Sequence, residues 1–98
     1  MDIFTEQYQQ DLKDGRAWPQ ILSHQLLLAY GSGERCEIVY QNQTSRPSTR
    51  EDASVPVPCT IEEFASRYVR VETPAGFRTY RFEGIQSLKV GGVQVSRT

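Results

Sequence analysis

Between Arg67 and Val90 apolar and polar side chains alternate at a period of two, which limits this stretch to β-structure. Val69 and Val71 share one face of the first strand; Tyr68 and Arg70 take the other. A Pro74-Ala75-Gly76 turn then reverses the chain into Phe77-Arg78-Thr79-Tyr80-Arg81-Phe82-Glu83. Alternation sends Tyr80 and Phe82 to the core side, with Arg78 near the strand end. Thr79, Arg81 and Glu83 are sent outward. A sheet with one apolar face and one arginine-bearing face must cover the first and can offer the second to an anion.

The remaining elements follow from the same reading. Phe4, Tyr8 and Leu12 recur every fourth residue, which predicts a short amphipathic helix over 3–13 ending near Gly15. Its narrow stripe predicts an interaction element outside the core. A second helix starts at Trp18-Pro19 and carries Ile21, Leu22, Leu26, Leu27, Leu28 and Ala29 to Gly31, a stripe broad enough to cover one side of a sheet. Beyond Gly33 the period becomes two. Strands are expected over 35–41, 55–64, 67–73, 77–83 and 86–90. The polar segment 42–54 reads as a loop, and Gly91-Gly92 turns or bulges the chain before Val93. Pro56 and Pro58 remove two amide donors and favour an edge position for 55–64. The fold class is therefore α+β: N-terminal helices followed by a five-stranded antiparallel, partly open barrel of SH3/Sm-like form, since closure protects strand edges. At 98 residues the chain is one domain, with a helical extension at 1–14, a helix at 19–31 and the barrel at 35–95.

Charge divides along the chain. Residues 66–98 hold six bases against two acids, while residues 1–65 hold five bases against ten acids, giving a net charge of -1. A general nucleic-acid surface is excluded on that balance, so anion recognition must be local. Cys36 and Cys59 both fall on the apolar phase of their strands and read as buried, reduced thiols rather than a disulfide. With two cysteines and His24 as the only histidine, no metal-ligand spacing exists, and no cofactor is expected. The acidic pairs Glu51-Asp52 and Glu62-Glu63 lack an activated nucleophile beside them, so the chain is expected not to be an enzyme. No run approaches the ~20 apolar residues of a membrane span, and the first residues lack a signal-peptide pattern, so a cytoplasmic protein without a membrane partner is expected.

One set of residues resembles a known family. The helix with Leu26-Leu27-Leu28-Ala29 is followed by the glycine-rich turn and by Cys36-Glu37-Ile38-Val39-Tyr40. After Pro58 come Arg67-Tyr68-Val69 and Arg78-Thr79-Tyr80-Arg81-Phe82-Glu83-Gly84-Ile85. This order, from about residue 19 to 95, is similar to the WYL domain, an Sm-like barrel of prokaryotic regulators, notably those of phage defence and DNA-damage responses. The match departs at Arg67-Tyr68-Val69, where only the tyrosine of the Trp-Tyr-Leu triplet is kept. It departs again at Glu83-Gly84-Ile85, which lacks the basic residue of the usual Asp-Arg-Ile. Only about 18 residues precede the matching helix, so operator recognition by the family's winged helix-turn-helix is not expected.

The resemblance implies a ligand-sensing regulatory module whose basic groove binds an anionic ligand, a nucleotide or a single-stranded nucleic-acid end. Arg78 and Arg81 would clamp the anion, Tyr40 and Tyr68 would stack on a base, and Arg70 would lie at the rim. The plainer account of the same arginines is cross-strand pairing with Glu72 and Glu83 on a solvated face. Two other functional classes stand beside the sensor. One is a protein-interaction adaptor using an open strand edge near 55–64 or the N-terminal helix, with homodimerisation through that helix. The other is a phage- or defence-related inhibitor.

Overall fold

The computed structural model describes residues 3–40 and 56–97. The expected loop at 42–54 and the expected strand start at Val55 lie outside the described residues. Helix α1 (Ile3–Lys13) and helix α2 (Trp18–Ser32) precede six strands: β1 (Arg35–Tyr40), β2 (Val57–Phe64), β3 (Tyr68–Thr73), β4 (Gly76–Arg81), β5 (Ile85–Val90) and β6 (Val93–Ser96). The sheet is antiparallel throughout, in the order β4-β3-β2-β1-β5-β6. The class is thus α+β with an open sheet. The expected count of five strands becomes six because Gly91 and Gly92, both at positive φ, form a tight turn that pairs Val90 with Val93.

Helix ends behave as their glycines require. Gly15 (φ +72°) closes α1 with its N–H bonded to the Leu12 carbonyl and the Arg16 N–H bonded to the Asp11 carbonyl, a Schellman ending. Gly33 closes α2 by donating to the Ala29 carbonyl at 2.9 Å. The first expected stripe shifts, however. Phe4 and Asp11 are buried, while Leu12 is 55% exposed. Asp11 takes the inward position because His24 Nδ1, on α2, lies 2.9–3.0 Å from both its carboxylate oxygens and Gln7 donates to it at 2.9 Å. Buried Gln25 adds a bond from its amide to the Phe4 carbonyl at 3.0 Å. Helix α1 is therefore seated on α2 and β6, and Phe4 belongs to the core.

The core lies between the helices and the inner sheet face, formed by Leu22 and Leu26 of α2 against Ile38, Ile61, Val69, Val71, Ile85, Leu88 and Val95. Strand β2 is interior and not an edge; β4 and β6 are the edges. Its prolines are tolerated because pairing changes hands along it: Val57–Thr60 face β1, whereas β3 joins only from Thr60 onward. At Pro58 the strand is paired on one side, where a missing N–H can face the unpaired side. Register shifts between Ile61 and Glu63 in β2 and between Val39 and Tyr40 in β1 bend the sheet further. No helix among the described residues is long and apolar enough to cross a membrane.

Candidate anion-binding site

Strand β4 stops at Arg81, two residues before the expected end, and Phe82–Gly84 form a single 3-10 turn. The Phe82 N–H donates to the Arg67 carbonyl at 3.0 Å, tying this turn to the residue before β3. The Phe82 ring meets Phe64 with centroids 5.9 Å apart. Arg97, following β6, donates from Nη2 to the Glu83 carbonyl at 2.9 Å. Together these contacts gather three separate chain segments at one end of the sheet, beside the start of α2.

They enclose an open groove of about 820 Å³ whose lining includes Arg67, Arg81 and Arg97 together with Trp18, Tyr68 and Phe82. Three guanidinium groups thus share the groove with one carboxylate, that of Glu83. Arg81 Nη1 lies 3.8 Å from Glu83 Oε1, but both side chains are at least three-quarters exposed, so the pair is solvated and weak. Among the described residues Arg67 and Arg97 make no ion pair. The N-terminus of α2 faces the same space through Trp18 and Pro19. Its N-cap is Ala17, which has no side-chain acceptor, so the positive end of the helix dipole carries no carboxylate or hydroxyl cap. The Trp18 indole Nε1 is buried without a hydrogen-bond partner among the described residues.

The five residues singled out in the sequence are not all together. Tyr68 and Arg81 stand directly opposite each other in the β3–β4 ladder, and both line the groove. Arg70 lies on the same outer face one step along, its guanidinium 4.7 Å from the centre of the Phe77 ring and outside the groove lining. Arg78 pairs with Val71 and so projects to the inner face, where it is exposed at the sheet margin. Tyr40 also points inward, stacked on Tyr80 at 4.7 Å between ring centroids. Burial raises the Tyr80 phenol above its ordinary range, with smaller effects from Cys59, Arg78 and Tyr40, so that ring stays neutral.

Sequence reading missed Arg67, Arg97, Trp18 and Phe82. Arg67 immediately precedes Tyr68, and Trp18 is the only tryptophan, placed at a helix start; both were visible signals. Arg97 and Phe82 were not, because their position depends on β6 and on the 3-10 turn. No family model, curated protein or solved structure matches the chain.

Proposed function

We propose that this chain is a WYL-type, SH3/Sm-like sensor module that binds an anionic, base-bearing ligand, a nucleotide or the end of a nucleic-acid single strand, and regulates a protein partner. The observation that carries the reading is the convergence of Arg67, Arg81 and Arg97 with the rings of Trp18, Tyr68 and Phe82 in one groove. Guanidinium forks match phosphate oxygens, and aromatic faces accept a base without regard to its identity. The wiring supports the barrel reading: four strands in a meander, a 3-10 turn, and β5 returning beside β1. Such a module acts by binding its ligand and passing the bound state to its partner, with no chemical step of its own.

Trp18 is the sole tryptophan and lines the groove, so its fluorescence reports occupancy directly. Titration with a nucleoside triphosphate, a cyclic dinucleotide and a 5′-phosphorylated single-stranded oligonucleotide should change the emission saturably for one of them. Arg81→Ala should weaken that response. If none of the three changes the Trp18 emission or binds by calorimetry, the sensor reading fails.

A protein-interaction adaptor is the second reading. It is favoured by Leu27 and Tyr30, which lie one helical turn apart on α2 and are both about half exposed. A chain that sediments as a single species without ligand, and that gains no partner when Leu27 and Tyr30 are intact compared with their serine variants, would count against it.

A further inference from the structure

Cys36 and Cys59 are direct cross-strand partners in the β1–β2 ladder, with their sulfurs 3.8 Å apart and each side chain 1% exposed. Both are free thiols. Residues directly opposed in an antiparallel ladder have Cα atoms about 4.5 or 5.5 Å apart. Either spacing falls inside the roughly 4.4–6.8 Å range of disulfides, so a bond needs side-chain rotation and no backbone displacement. The sulfurs must approach by somewhat under 2 Å to reach the bond length of about 2.05 Å.

We propose that Cys36 and Cys59 form a latent, reversible disulfide, a modification site for a peroxide oxidant that is reduced in the resting protein. The thiolate of one cysteine attacks one peroxide oxygen, the O–O bond breaks, and the departing hydroxide takes up the proton that this thiol gave up to become water, leaving a sulfenic acid on that cysteine. The other sulfur then attacks the oxidised one; the S–O bond breaks and hydroxide leaves with the second thiol's proton as a second water. Two thiols and one peroxide thus become one disulfide and two waters, the sulfurs losing two electrons and the peroxide oxygens gaining them.

The contact between the thiols sets their acidities apart. A hydrogen bond with Cys59 lowers Cys36 against the opposing effect of burial, while the same bond, together with burial, raises Cys59. Either sulfur can be the donor in this contact, so either can be the first thiolate and the other the resolving thiol. Each thiol is 1% exposed, so an oxidant reaches the pair only through local opening of the sheet. The bond would fasten β2 where it is paired with β1 alone, on the stretch Val57–Cys59 that β3 does not support.

The test treats the native, purified chain with hydrogen peroxide, quenches it, and alkylates remaining thiols after denaturation. The expected product is a monomer about 2 Da lighter, the mass of two hydrogens, that takes up no alkyl group. Its digest should contain a linked peptide spanning Cys36 and Cys59, and dithiothreitol should restore two alkylatable thiols. The melting temperature of the oxidised form should rise by about 5 °C or more, because the link constrains the unfolded chain. Two free thiols after treatment, a sulfinic acid without a link, or a bond between two chains would each overturn the proposal. These readouts do not involve the groove, so they are independent of ligand binding.

Discussion

The Tyr40 and Tyr80 rings stack 4.7 Å apart although their strands, β1 and β4, are separated in the sheet by β2 and β3. In a flat sheet those strands would lie roughly 14 Å apart, at about 4.8 Å per step. The contact therefore marks the curl of the inner face that brings β4 and its 3-10 turn over the core. Gly84 completes the arrangement: a Cβ there would lie 2.6 Å from the Tyr40 ring.

Gly84→Ala should destabilise the fold by about 1–3 kcal/mol through overpacking against Tyr40. Tyr80→Ala should cost about 3 kcal/mol or more, because it empties the centre of the curl. Urea unfolding curves measure both. A Gly84→Ala protein of unchanged midpoint would mean that Tyr40 swings away freely and that the stack does not hold the turn.

Arg81→Ala should cost an anionic ligand about 1.5–3 kcal/mol while leaving the unfolding midpoint nearly unchanged, since its contact with Glu83 is solvated. Arg81→Lys should recover only part of the binding, because a point charge cannot replace a planar fork. Arg78→Ala, on the other face, should leave the affinity close to that of the parent. Calorimetric titration of the three variants distinguishes a groove site from diffuse attraction; equal losses for Arg78 and Arg81 would favour diffuse attraction.

His24→Ala should destabilise by about 1–3 kcal/mol by leaving the buried Asp11 carboxylate without its α2 partner. The Asp11→Ala, His24→Ala double variant should lose less than the sum of the two single losses, as coupled partners do. Strict additivity in denaturant melts would show that the 2.9 Å contact contributes nothing to the docking of α1.

Phe4→Ala should cost about 3–5 kcal/mol, typical of a large aromatic removed from a core. Gly91→Ala should be harmful for a related reason. Its φ of +58° disfavours a side chain, and an added Cβ would run into the Phe4 ring. Removal of residues 1–14 should accordingly lower the melting temperature. A shortened chain as stable as the parent, with an altered subunit count, would make α1 an element of association instead.

Local pattern alone was enough for the helices, for the two faces of β3 and for the burial of Cys36 and Cys59, because periodicity and glycine conformation act over a few residues. It also placed Tyr68 and Arg81 on one outer face. What it could not assign depends on neighbours distant in sequence. Asp11 displaces Leu12 from the inner stripe because His24, 13 residues away, supplies the bond that makes a buried carboxylate tolerable. Pro58 suggested an edge, yet β2 is interior, since a strand can exchange one partner for another along its length. The groove depended most on tertiary structure: Arg67, Arg81 and Arg97 come from three segments that meet only after the 3-10 turn and β6 are in place. Sequence determined which residues could form faces; the long-range pairing of strands and the curl of the sheet decided which faces came together, because those contacts link positions that no local period relates.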